Sequence, residues 1–308
     1  MKRFLSVFTV VALLATVSLN AQNAASTTTP STLKDTSDPR LDPESKAHGV
    51  HWAKGVVRAA KPAKPSRSVN MTWHNGAIMT SAAVQSIFWG PSWSTNAGDK
   101  ITGMDLWYSG YGGSNYAGTS TEYTGTNGQV TRTVSFGGHF TDGTTPSGGQ
   151  QVAPILAEVC KVIPNPVANG YYPVYTDLPR GNAGYCAWHS YGSCGSTPVQ
   201  IAFFWNLDGD AGCDPQSTVS GHSQGLAAIS NVSGHELAEA MTDPRNGGWY
   251  DSRGAENGDK CAWTFGAPSV TFTNGSQWKI QGEWSNAAFT AGTGYPNSSG
   301  QRGCLGGQ

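Results

Sequence analysis

The 308-residue chain is sparsely charged, with 13% Asp, Glu, Lys and Arg and a formal net charge of −1 at pH 7. The charge is unevenly divided, because residues 22–70 carry eight Lys or Arg against four Asp or Glu, whereas residues 71–308 carry nine against sixteen. An acidic body argues against nucleic-acid binding.

Residues 1–21 have the pattern of a secretory signal peptide. Lys2 and Arg3 precede an apolar run of 16 residues, 4–19, which is short for a membrane span. Small residues at 21–25 offer a cleavage site. We therefore expect a secreted protein, extracellular or periplasmic, that is monomeric and not stably inserted in a membrane once the signal is removed.

The composition changes near Met71. Residues 22–70 are polar and proline-bearing, which predicts a disordered leader that serves as a linker or a propeptide. Residues 71–308 are aromatic and rich in glycine, and they are numerous enough for one domain with a sizeable core.

Within this domain, periodicity predicts strands at 82–89, 130–136, 171–175 and 199–205, and a hairpin at 269–284 around Asn274-Gly275. It predicts helices at 152–162 and from about Leu226 to the stop at Asp243-Pro244, with a later start or a bend at Ser233 and Gly234. Because strands and helices do not alternate regularly, we expect an α+β fold with a mixed or antiparallel sheet.

Six cysteines suit an oxidising compartment and allow up to three disulfides, for which fifteen pairings are possible. Cys186 and Cys194 are near enough in sequence to close one loop. A bond between Cys261 and Cys304 would tie the C-terminal tail back to the domain.

The most informative motif lies on the second predicted helix, where residues 235–239 read His-Glu-x-x-Glu. His235 and Glu239 are four residues apart and share one helical face, so both can reach one ion. Glu236 stands where zinc hydrolases place their general base. These spacings predict a metal site with Glu236 as the catalytic residue.

A third protein ligand has to come from outside the helix. The downstream carboxylates are Asp243, Asp251, Glu256 and Asp259; we favour Glu256, with Asp259 as a ligand or as a partner of one, and hold Asp243 in reserve. Zinc is the expected ion, although a carboxylate in place of the usual second histidine also suits calcium or manganese. The alternative is an amphipathic helix that buries its apolar face and leaves both glutamates in solvent.

A second motif, Gly-His-Ser-Gln-Gly at 221–225, matches the nucleophile elbow of serine hydrolases. Residues 214–220 do not form the buried strand that this elbow requires, so we favour the metal site. His222 is a candidate additional ligand. His74, His139 and His189 have no partner at a recognisable spacing, and we expect them to satisfy local hydrogen bonds.

Residues 73–76, 87–90, 184–189 and 235–263 together resemble the phosphate-induced, Exordium-like secreted proteins. The resemblance covers most of residues 71–308 and implies an extracellular or cell-wall protein with one disulfide-bonded domain. Its plant members do not all keep the His-Glu pair, whereas bacterial relatives do. The helix around His235 also resembles that of the zincin metallopeptidases in part of its signature.

The leading hypothesis is a secreted, metal-dependent hydrolase, most simply a zinc metallopeptidase that acts on a peptide. Glu236 would take a proton from the water at the ion and later pass it to the leaving amine. The alternative is a non-catalytic binding or structural protein of the extracellular space or the cell wall, with a cell-wall polymer as a possible partner.

Overall fold

The computed structural model describes residues 47–56 and 69–308. The strands are, in chain order, β1 (His48–Trp52), β2 (Thr72–Trp73), β3 (Ala82–Trp89), β4 (Thr124–Gly125), β5 (Gly128–Gln129), β6 (Val134–Asp142), β7 (Gly170–Pro179), β8 (Tyr185–Cys194), β9 (Thr197–Asn206), β10 (Trp249–Tyr250), β11 (Val270–Thr271), β12 (Gln277–Trp278), β13 (Glu283–Trp284), β14 (Tyr295–Pro296) and β15 (Arg302–Leu305). The helices are α1 (Trp93–Asn96), α2 (Lys100–Tyr111), α3 (Val152–Val162), α4 (Gln224–Thr242), α5 (Asn257–Lys260) and α6 (Asn286–Ala291), with a 3₁₀ turn at Ala117–Ser120.

The central sheet has six strands in the order β1-β8-β9-β7-β3-β6. Its pairs β9-β7, β7-β3 and β3-β6 are parallel, whereas β8 runs antiparallel to β9, and β1 runs antiparallel to β8. The sheet is therefore mixed, as predicted, and with the helices around it the structure is consistent with the α+β class.

The parallel strands are apolar runs because both of their faces are covered. Along β8, successive side chains point to opposite faces. Trp188 stacks on Phe203 and donates its indole N–H to the Gly149 carbonyl, and the Gly192 backbone lies against Leu156 of α3. The other face of β8, which carries His189, lies against α4.

Local patterns located most of the elements. The predictions for 82–89, 152–162, 171–175 and 199–205 are confirmed by β3, α3, β7 and β9, and the hairpin at 269–284 by the pairing of β11 with β12. The strand predicted at 130–136 begins four residues later, as β6. The sequence analysis did not identify α2 or β8.

Helix α4 runs without a break through the two residues that predicted a bend. Its start is capped by the Ser223 hydroxyl, which accepts the Leu226 N–H at 3.0 Å. It ends at Asp243 because Pro244 disfavours helical geometry in the residue before it. Ser233 is satisfied by a 2.7 Å hydrogen bond with the Tyr175 hydroxyl, and Gly234 lets Tyr116 and Ile280 approach the helix.

The leader is not disordered throughout, so that prediction is wrong for residues 47–56. His48–Trp52 forms β1 at the edge of the central sheet, and Val50 and His51 are buried. Residues 22–46 and 57–68 of the leader and the predicted signal peptide at 1–21 lie outside the described residues. In the part of the chain that is described, no helix has the length and apolarity to span a membrane.

Three disulfides join Cys160 to Cys194, Cys186 to Cys213 and Cys261 to Cys304. The Cys261–Cys304 pairing is confirmed. The Cys186–Cys194 pairing is wrong, because the two residues lie at opposite ends of the extended strand β8 and cannot meet. Three disulfides fit a protein from an oxidising compartment.

The disulfides differ in burial, and this difference predicts unequal effects of their removal. The chain-entropy model gives roughly 4 kcal/mol for either a 34- or a 43-residue loop. Cys261 and Cys304 are fully buried, so Cys261→Ala/Cys304→Ala also leaves a cavity. In urea unfolding, this double variant should lose at least about 1 kcal/mol more than the partly exposed control Cys160→Ala/Cys194→Ala. Equal losses would contradict the prediction.

Candidate metal centre

Both glutamates of the His-Glu-x-x-Glu motif are buried. His235, Glu236 and Glu239 are 0% exposed, because the sheet covers one side of α4 and the C-terminal segments cover the other. The amphipathic alternative, in which the glutamates face solvent, is therefore wrong. His235 and Glu239 share one face, with 3.1 Å between Nε2 and Oε1.

The sheet adds a histidine that the sequence analysis did not select. His189 of β8 places Nε2 3.6 Å from Glu239 Oε2 and 3.3 Å from Glu256 Oε2. Neither of its ring nitrogens makes a hydrogen bond to any described residue. The expectation that His189 satisfies a local hydrogen bond is therefore wrong: its neighbours are carboxylates distant in sequence.

Two carboxylates reach the site from α5. Glu256 is the N-cap of this short helix and forms a capping box with Asp259, in which each side chain accepts the backbone N–H of the other. The Asp259 N–H also lies 2.8 Å from Glu239 Oε1, so α5 is joined directly to α4.

Seven ionisable side chains thus meet between α4, α5, β8 and β1. We call them the histidine–carboxylate cluster: His48, His189, His235, Glu236, Glu239, Glu256 and Asp259. They include three groups that could hold a metal ion, each with donor atoms within 4.8 Å of one another: His48, His189 and Glu256; His189, Glu236 and Glu239; and His235, Glu239 and Asp259. Of the residues predicted from the sequence, His235, Glu239 and Asp259 share one group, whereas Glu236 and Glu256 belong to the other two.

The remaining sequence candidates have other roles. Asp243 accepts the backbone N–H groups of Gly247 and Gly248, each at 2.7 Å, and Asp251 organises the next turn in the same way. His222 stacks on Trp278. Ser223, the nucleophile of the serine-hydrolase hypothesis, caps α4 and donates its hydroxyl to Asp99.

Strand β1 lies directly over the cluster. The His48 ring lies 4.2 Å from the His189 ring, and the His51 ring 4.2 Å from the His235 ring. Between them, Gly49 has a φ of +54°, and a Cβ at this position would overlap Glu239 Oε2 and His189 Nε2. Only glycine fits this backbone conformation and this close approach. A His-x-x-His spacing at 48–51 was the available signal, but it stood in a polar leader.

Gln281 determines which ring nitrogen of neutral His235 carries the proton. Its Oε1 accepts the Trp263 N–H at 3.2 Å and its Nε2 donates to the Gly258 carbonyl at 2.9 Å, which turns the amide nitrogen toward His235 Nδ1 at 3.1 Å. The neutral His235 ring therefore carries its proton on Nε2. Binding of an ion by Nε2 requires that proton on Nδ1 and a rotated Gln281 amide. His189 requires no such change.

Burial dominates the electrostatics of the cluster. It lowers the pKa of His189 well below the usual value and that of His235 to about 4. It raises the pKa of Glu236 and Glu256 well above their usual range, and neighbouring carboxylates raise both further. Neutral imidazoles are the form that binds metals, and a nearby cation would favour the ionised carboxylates.

The donor atoms fit a divalent ion. Oε2 of Glu256 and Nε2 of His235 share with His189 the lack of a hydrogen-bond partner within the described ranges. Such buried atoms are normally satisfied, and each one left alone costs about 1–3 kcal/mol. Each of the three pairwise separations, 3.1–3.6 Å, is close to the roughly 3.3 Å expected between two ligands of a tetrahedral zinc ion, but each pair belongs to a different group of the cluster.

Comparisons of this chain with protein-family models, with curated proteins and with solved structures find no match. The Exordium-like and zincin-like resemblances therefore stay predictions.

A further buried carboxylate predicts how the metal-free protein responds to pH. Burial raises the pKa of Glu283 well above 4.5, and the nearby Glu239 and Asp259 raise it further, although the Tyr116 hydroxyl opposes this by donating to Glu283 at 2.8 Å. The folded state then keeps a proton that the unfolded chain releases. The free energy of unfolding should therefore fall as pH rises above 4.5, until pH passes the folded pKa.

Glu283→Gln keeps an acceptor for Tyr116 and removes this titration. In urea unfolding with a chelator between pH 5 and 8, the variant should lose less stability with rising pH, by up to about 1.4 kcal/mol per pH unit. If the wild type and the variant have the same slope, Glu283 does not hold a proton in the folded state.

Proposed function

We propose that this chain is a secreted, metal-dependent hydrolase that cleaves peptide bonds. The observation that carries the proposal is the position of Glu239, whose two carboxylate oxygens face two different histidines, His235 and His189. One side chain of α4 thereby joins the motif read from the sequence to a histidine supplied by the sheet.

In this proposal His235, Glu239 and Asp259 hold the ion, because their donor atoms lie within 4.8 Å of one another. His189, which faces the second oxygen of Glu239, and Glu256, which faces His189, orient the set. One imidazole with two carboxylates suits zinc, and manganese is compatible with the same ligands. A bound zinc ion would supply a Lewis acid that lowers the pKa of a water molecule to about 7.

Glu236 has the general-base role. Its carboxylate lies next to His189 and Glu239, with donor atoms within 4.8 Å of theirs, and it is bound to no other described side chain. It takes the proton of the attacking water and delivers it to the leaving nitrogen. The residue following His235 therefore works beside the ion and does not have to bind it.

A non-catalytic function is the second candidate, and the burial of the cluster favours it. Strand β1, which itself contributes His48, covers the other six members of the cluster through Gly49 and His51, so an ion there would be closed off in the intact chain. Under this alternative, the chain is an extracellular or cell-wall binding protein with a structural ion, as the Exordium-like resemblance implies. The signal-peptide pattern and the disulfides support secretion in both cases.

The first test is metal content. The purified protein should hold about one transition-metal ion per chain by elemental analysis, and chelation should lower its melting temperature. In calorimetric titration of the chelated protein with zinc, His235→Ala and His189→Ala should each weaken binding at least about tenfold. The matched control is His139→Ala, because His139 lies outside the cluster and bonds Asp105 at 2.9 Å. Absence of stoichiometric metal together with an unchanged melting temperature would refute the metal-dependent hydrolase and the structural ion, and would leave an extracellular binding protein without an ion.

The second test separates the enzyme from the binding protein. It uses chain cleaved within residues 57–68, since β1 covers the cluster when the chain is intact. On a library of unstructured peptides, Glu236→Gln should reduce hydrolysis by about 10²–10⁴-fold and retain zinc. The control is Glu158→Gln, which alters a buried glutamate of α3 bonded to Lys161. If the protein binds zinc but shows no hydrolysis, or hydrolysis that Glu236→Gln does not reduce, the result would favour the non-catalytic function.

A further inference from the structure

Strand β1 differs from the other strands of the central sheet. It is an edge strand from the leader, and its register with β8 shifts between each of its three paired positions. None of the three disulfides ties it to the domain. It is nevertheless held closely, because the Ala53 N–H donates to the Gly184 carbonyl at 3.0 Å and the Trp263 indole donates to the Trp52 carbonyl at 2.8 Å.

The position of β1 is where a substrate would have to lie. Every cluster residue except Asp259 is at most 9% exposed, and the Gly49 backbone sits against Glu239 Oε2 and His189 Nε2. A peptide bond can reach the proposed ion and Glu236 from this side only if β1 is absent. The β8 edge would then offer free backbone N–H and C=O groups to an extended peptide, which would bind by strand addition.

We propose that residues 47–53 are a built-in, substrate-like inhibitor, and that the groove they fill between β8 and α4 is the binding site for an extended peptide. Gly49 lies at the centre of the groove, where a peptide backbone approaches the cluster most closely. His48 and His51 lie on either side of it, against His189 and His235. The inhibitory role rests on the hydrolytic function proposed above, whereas the peptide-binding groove does not depend on it.

The test begins with the full chain, into which a recognition sequence for a site-specific protease is substituted within residues 57–68. After cleavage, the leader fragment should dissociate on dilution or exchange with an excess of a synthetic peptide of residues 45–56. The domain that remains, freed of metal with a chelator, should keep its circular dichroism spectrum and unfold cooperatively on heating. A fragment that leaves only when the domain unfolds, or a domain that unfolds when the fragment leaves, would overturn the proposal and make β1 a permanent part of the fold.

The groove is then probed with labelled peptides by fluorescence anisotropy. The protein is first freed of metal with a chelator, so that peptide binding is measured without peptide hydrolysis. The peptide with Gly49→Ala should bind at least about tenfold more weakly than the natural one. The control is Gly55→Ala, because Gly55 also has a positive φ, +78°, but has nothing within 4 Å of an added Cβ. Equal weakening by both substitutions would overturn the placement of Gly49 against the cluster.

Hydrolysis gives the last comparison. The intact chain should be latent, cleavage at the engineered site should raise peptidase activity at least about tenfold, and added natural peptide should reverse the rise. If the peptides bind as expected but neither form hydrolyses anything, the groove stands and the hydrolytic function fails. Equal activity of the intact and cleaved chains would overturn the inhibitory role.

Discussion

The constraint on which this structure depends is the burial of many ionisable groups in one place. Charged side chains lose several kcal/mol when they leave water, unless partners or a cation compensate for the lost hydration. Here three histidines and four carboxylates converge between α4, α5, β8 and β1. Neutral imidazoles and protonated carboxyls reduce the cost in the metal-free state, as the directions of the pKa shifts require. A divalent ion would instead favour the ionised carboxylates and use their open lone pairs.

The surrounding fold is arranged to hold those groups. Helix α4 is buried along nearly its whole length, and its small residues allow that: Gly234 admits Tyr116, and Ser233 bonds Tyr175. The capping box of α5 sets Glu256 and Asp259 at the edge of the cluster, and the Cys261–Cys304 disulfide anchors the residue that follows α5. Small residues such as Ser233 and Gly234 weaken an isolated helix, and α5 is a very short one. In this structure, both features let the cluster form.

The features that could be predicted from the sequence are those that depend on residues close together in the chain. The spacing of His235, Glu236 and Glu239 identified the right helix, and the carboxylates at 256 and 259 come from the segment that the sequence indicated. His189 could not be assigned, because a period of two tells which face of a strand a residue occupies but not what lies opposite. Residues 48–52 were missed for a related reason. A short His-Gly-Val-His-Trp run has no strand signal of its own, and it becomes a strand only by pairing with β8.

These missing contacts change the meaning of the glutamate at position 239. Compared with the His-Glu-x-x-His pattern, Glu239 looks like the loss of a histidine ligand. A neutral imidazole binds an ion through one ring nitrogen, and its other ring nitrogen carries a proton that needs a hydrogen-bond acceptor. A carboxylate has two oxygens about 2.2 Å apart, and each can face a separate nitrogen donor. Glu239 uses both, toward His235 along its own helix and toward His189 across from the sheet. Strand β8 already supplies the histidine His189. If position 239 were also a histidine, His189 would face the edge of its ring and not a carboxylate oxygen. The substitution in the motif and the histidine on the strand are therefore two parts of one arrangement.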